Sequence, residues 1–136
     1  MRYLLFLLCL ATLNLSACAG GIASPPANES PPLDSVPEEY AGMTNPLGQA
    51  AADQGAELFQ SNCAMCHGAE GRGDGPAGQS LEPPPGNLAQ VQAGAADDYL
   101  YWRIHAGKPG TAMLAWRNIL TEEQIWQLVS FIRTME

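Results

Sequence analysis

The chain has 136 residues, 46% hydrophobic and only 15% charged, with a formal net charge of −8 from 14 acidic and 6 basic residues. That length holds one small domain, and six dispersed cations cannot build a phosphate-binding surface, so nucleic acid is excluded as a partner. The longest unbroken apolar run, Tyr3 to Ala11, is far shorter than the ~20 residues that cross a bilayer, which excludes a multi-span membrane protein.

The first residues read as an address. Arg2 gives a positive start, Tyr3 to Leu13 is apolar apart from Thr12, and small residues follow. This is the layout of a bacterial export signal. Leu15-Ser16-Ala17-Cys18 resembles the lipobox of bacterial lipoproteins, which implies cleavage after residue 17 and a lipid on Cys18. The alternative is an ordinary secretory signal with a chance cysteine. From Ala19 to about Gly48 the chain carries six prolines among Ser, Asn and Glu. Proline fixes its own φ and pushes the preceding residue away from helix, so residues 18–48 are expected to be a solvated tether.

Residues 49–136 are expected to form the folded domain, and the pattern is helical. Ala51, Gly55 and Phe59 share one helical face. Asp97 is expected to cap a second helix running to His105, ended by Gly107 and Pro109. Thr121 and Gln124 stand at capping-box spacing before Ile125, Leu128, Val129 and Ile132, an i, i+3, i+4, i+7 stripe. No stretch alternates as a sheet strand does. Between the first two helices lies a long region rich in glycine that ends in Pro83-Pro84-Pro85, and a loop of that length is uncommon unless it covers something.

Cysteine spacing points to the chemistry. Cys9 leaves with the signal and Cys18 is committed to lipid, which leaves Cys63-Ala64-Met65-Cys66-His67 in the domain. C-x-x-C-H is the attachment pattern of c-type haem. Two thiols at that spacing can add across the two vinyl groups of one porphyrin, and the adjacent histidine is then placed beneath the iron. A redox dithiol, a structural disulfide and a zinc site drawing on His105 remain alternatives, the last needing four ligands that only Cys63, Cys66, His67 and His105 could supply.

From about Asn45 onward the chain resembles a mono-haem class I cytochrome c of the short bacterial type. The resemblance rests on Gly55 to Phe59, Cys63 to Gly68, Gly73-Asp74-Gly75-Pro76, Leu81 to Leu88, Gly107 to Trp116 and the closing Thr121 to Arg133. It implies an all-α cytochrome c fold of three or more short helices wrapped around one covalent haem c. Cys63 and Cys66 would carry the thioethers, with His67 and Met113 as axial ligands. His105 is the alternative to Met113. Family members often have proline after the ligand methionine; here Leu114 stands there. The resemblance further implies that Gly55 lets the first and last helices cross, with Phe59 near Leu128 and Phe131. It also implies that a carbonyl of Pro83–Pro85 accepts from His67 Nδ1, and that Trp116 either binds a propionate or packs.

With both axial positions taken the iron has no open site, and the implied function is one-electron transfer rather than catalysis. The expected protein is a carrier in a respiratory or photosynthetic chain, lipid-anchored on the extracytoplasmic side of a bacterial membrane and meeting redox protein partners in membrane complexes. Two readings stand beside it: a fixed haem-bearing subunit of a larger respiratory complex, and a small peroxidase or gas-binding protein with Met113 unbound. The acidic balance further predicts that a partner is met through a basic patch of its own.

Overall fold

The computed structural model describes residues 32–136, so the export signal, Cys18 and the first part of the expected tether lie outside the described residues. Among the described residues there are helices and loops and no strand. A 3-10 turn at Gly48–Ala51 leads into α1 (Ala52–Asn62), followed by α2 (Ala64–His67), α3 (Leu88–Gly94), α4 (Asp97–Ala106) and α5 (Glu122–Ile132). No helix among the described residues is long and apolar enough to cross a membrane.

The core is the crossing of α1 over α5. The expected stripe holds: Ile125, Leu128, Val129 and Ile132 are all buried, and each such side chain contributes roughly 1.5–3 kcal/mol when removed from water. The helix begins as its sequence predicts. Thr121 Oγ1 accepts from the Gln124 N–H at 3.2 Å, and Gln124 Oε1 accepts from the Thr121 N–H at 2.9 Å. Gly55 sets the separation of the two helices, because a Cβ there would run into the Gln127 carbonyl and lie 2.8 Å from Phe131 Cβ. Phe59 fills the space beyond, its ring 5.2 Å from that of Phe131.

Two details differ from expectation. Ala96, not Asp97, is the N-cap of α4. Asp97 sits in the first turn, where the helix dipole favours a carboxylate, and is drawn into tertiary contacts, accepting from the Asn45 N–H at 3.0 Å and pairing with Arg133 at 2.7 Å. Short α3 is not announced by apolar periodicity. Its cap is Asn87, whose Oδ1 accepts from the Ala89 N–H at 2.9 Å.

The larger difference concerns the expected tether of residues 18–48. Its second half is part of the domain. Leu33, Val36, Tyr40, Met43 and Leu47 are partly buried against the core, and polar contacts fix this arm along α4 and α5. Tyr40 hydroxyl and His105 Nδ1 are 3.0 Å apart, the Gly42 N–H donates to Asp98 at 2.8 Å, and Asn45 Nδ2 donates to Ser130 Oγ at 2.8 Å. The Asp34 carboxylate pairs with the Arg103 guanidinium. The physical reason lies in α4, where Tyr99, Leu100, Tyr101 and Ile104 are all buried. A helix apolar on both sides needs cover on both sides. α5 covers one, and the arm covers the other. The folded domain therefore begins near Leu33 rather than at residue 49.

Candidate functional site

Cys63, Cys66 and His67 share one tight turn at the end of α1. The Cys63 N–H still donates to the Phe59 carbonyl at 2.8 Å, and the Cys63 carbonyl accepts from Cys66 at 3.1 Å and His67 at 2.9 Å. Cys63 caps α2 and Cys66 is its third residue, so the two thiols stand three positions apart on one helical face. Both are free. The loop that follows folds back onto this turn: the Gly73 N–H donates to the His67 carbonyl at 2.8 Å and the Ala77 N–H to the Met65 carbonyl at 3.0 Å. The glycine-rich stretch thus encloses the C-x-x-C-H turn.

His67 is held neutral. Burial pushes its pKa below the usual imidazole value, with the Gly86 backbone acting in the opposite sense, and a neutral imidazole is the form that ligates iron. Its Nδ1 is buried with no partner inside hydrogen-bonding geometry. The expected acceptor was a proline carbonyl of Pro83–Pro85. The backbone group acting on His67 is instead that of Gly86, one residue later, while the Pro85 carbonyl is turned against Gly73. A glycine directly after a proline run was the only signal for it in the sequence.

Burial, with Cys66 beside it, pushes the Cys63 thiol up to about 12. A thiol–disulfide enzyme relies on a lowered thiol pKa, and burial acts on Cys63 in the opposite direction. Among the described residues no three His, Cys, Asp or Glu side chains converge as a metal site, and His105, which a zinc site would need as its fourth ligand, lies 3.0 Å from the Tyr40 hydroxyl.

Met113 lies in the loop between α4 and α5 and is half-buried. Its carbonyl accepts from the Lys108 N–H at 3.1 Å, and its N–H donates to Thr111 Oγ1 at 3.2 Å. Gly107 closes α4 at φ +71°, and a Cβ there would stand 2.7 Å from the Met113 carbonyl oxygen and the Ala115 nitrogen. The loop depends on that close approach. Of the other methionines, Met65 is 63% exposed, Met135 is buried with its sulfur against Gly71, and Met43 belongs to the arm. His105 is engaged elsewhere: besides its bond to Tyr40, its ring stacks on Tyr101 at 5.5 Å. Tyr40 is the residue that sequence reasoning missed here, since it stands in the proline-rich stretch. Trp116 packs against the core, and Trp126 stacks on Tyr101 at 4.3 Å.

These residues fit a covalent haem. Two free thiols stand one turn apart, the imidazole beside them is buried and neutral, and a tied loop carries a thioether.

Comparison with known proteins agrees. No curated protein matches the chain. Among solved structures, the chain is similar to one from the reducing HAO-like protein complex Kustc0457/Kustc0458 of Kuenenia stuttgartiensis, with TM-score 0.54 and 21% identity over 82% of this chain and 50% of that one. It is also similar to cytochrome CL from the marine methylotrophic bacterium Methylophaga aminisulfidivorans MPT, with TM-score 0.49 and 24% identity over 62% of this chain and 53% of that one. A third is the KustC0563 c-type cytochrome, with TM-score 0.49 and 27% identity over 60% of this chain and 96% of that one. The chain spans about half the length of the first two. A family model described as cytochrome c oxidase, cbb3-type, subunit III matches residues 50–132. With an all-helical fold wrapped about a C-x-x-C-H turn, the chain belongs to this family of c-type cytochrome domains.

Proposed function

We propose that this c-type cytochrome domain is a one-electron carrier, lipid-anchored through Cys18 on the extracytoplasmic side of a bacterial membrane. The observation that carries the reading is the pairing of two free thiols on one face of α2 with the buried imidazole of His67 directly after them, held neutral by burial. Covalent haem supplies one-electron redox chemistry at its iron. Cys63 and Cys66 would hold the haem through thioethers, and the neutral imidazole of His67 and the sulfur of Met113 would ligate its iron. With both bound, the iron would offer no open site to a substrate. Engagement of His105 by Tyr40 and Tyr101 supports Met113 over a bis-histidine site.

A ferric spectrum tests the reading: low-spin iron with a sulfur-to-iron charge-transfer band is expected, and high-spin iron would favour a peroxidase or gas-binding protein. Radiolabelled palmitate should enter the wild-type chain and be lost in Cys18→Ser.

Docking of the arm favours the second reading, a fixed subunit of a larger membrane complex. The stretch between Cys18 and Leu33 reaches at most about 50 Å even fully extended, roughly half of what a tether up to Gly48 would allow. Purification from native membranes in mild detergent separates the two, since a carrier is released alone and a subunit stays with its complex.

A further inference from the structure

We propose that the loop carrying Met113 is the docking surface for an acidic protein partner with an apolar centre, despite this chain's net charge of −8. The proposal rests on the electron-carrier reading. Among the described residues five cations occur, and three are neutralised by carboxylates: Arg72 by Glu70, Arg103 by Asp34 and Arg133 by Asp97. The two without a carboxylate partner, Lys108 and Arg117, are both exposed and flank Met113. Backbone bonds fix them on one loop. The Lys108 N–H donates to the Met113 carbonyl at 3.1 Å, and the Arg117 N–H donates to the His105 carbonyl at 3.1 Å. Between and beside them stand Leu114, 64% exposed, and Ile119, 61% exposed. With Met65 in the C-x-x-C-H turn, these are the large apolar side chains that the described residues leave in solvent.

An apolar pair bracketed by uncompensated cations on an otherwise acidic molecule is complementary to an acidic surface with an apolar centre. The expectation from net charge, a basic patch on the partner, is therefore reversed at this face. An anionic lipid surface shares part of that chemistry. Two cations are few for a membrane contact, however, and this loop carries the proposed iron ligand, so a redox protein docked here would sit close to the haem.

The test uses the haem-loaded full chain carrying Cys18→Ser, with hexacyanoferrate(III) as an anionic oxidant and tris(phenanthroline)cobalt(III) as a cationic one. Local attraction predicts that hexacyanoferrate oxidation slows by about threefold as salt shortens the Debye length from about 30 Å to below 10 Å. In Lys108→Glu/Arg117→Glu that slope should reverse while the haem spectrum stays the same. Polyglutamate should slow the wild-type reaction and leave the double variant unaffected. A wild-type rate that rises with salt, or an unchanged slope in the double variant, overturns the proposal. Binding to phosphatidylglycerol vesicles that is lost in the double variant overturns it in favour of a lipid surface. Failure of either reagent to oxidise the haem overturns the carrier reading itself, and the docking surface with it.

Discussion

Gly55→Ala gives a prediction in which two physical effects have opposite signs. Gly55 lies within α1, where replacing glycine by alanine normally stabilises a helix by about 1 kcal/mol. Here the added methyl meets the Gln127 carbonyl and Phe131 Cβ, which belong to the facing backbone and the root of a side chain rather than to a flexible tip. Neither can move unless α5 shifts as a body, and α5 is buried along its length by Ile125, Leu128, Val129 and Ile132. Overpacking of this kind costs about 3 kcal/mol, leaving a net loss of about 2 kcal/mol. For a domain of this size that lowers Tm by about 10 °C. Thermal unfolding of the haem-loaded protein, followed by far-UV circular dichroism, reads the shift. A Tm that stays the same or rises would show that α1 and α5 do not meet as closely as described.

Met113→Ala should keep the covalent haem yet turn ferric iron high-spin and lower the potential, whereas His105→Ala should leave the spectrum low-spin; the reverse pattern would move the ligand assignment to His105. Tyr40→Ala removes a hydroxyl contact to His105 and packing against Tyr101 and Trp102, and should cost about 2 kcal/mol in denaturant unfolding. Deleting Ser24–Pro46 should destabilise the domain by far more than deleting Ser24–Pro31, and equal midpoints for the two deletions would return the arm to the status of a tether. Thr121→Ala breaks the capping box and should cost about 1 kcal/mol, with no change in the haem spectrum.

The parts of this molecule legible from sequence were those specified locally. The C-x-x-C-H spacing, the capping box of Thr121 and Gln124, the stripe on α5 and the termination of α4 at Gly107 each depend on residues within one or two turns of one another. What escaped depends on distant partners. Residues 33–47 look like solvated chain because prolines dominate the stretch, yet Leu33, Val36, Tyr40, Met43 and Leu47 find an apolar surface on α4 that is more than fifty residues away in sequence. The sign was present in α4, whose apolar residues Tyr99, Leu100, Tyr101 and Ile104 do not confine themselves to one face. Gly86 beside His67 escaped for a related reason, since the direction of a carbonyl depends on how the whole loop is folded.

The central claim is that Cys63 and Cys66 hold haem covalently, and mass spectrometry of the denatured protein tests it most directly. Expressed with a c-type maturation system, the chain should carry the mass of one haem after acid–acetone extraction, and should retain haem-associated peroxidase staining on a denaturing gel. Cys63→Ala/Cys66→Ala should lose both signals. Haem that is extracted from the wild-type chain, or a wild-type mass equal to that of the polypeptide alone, would contradict the account.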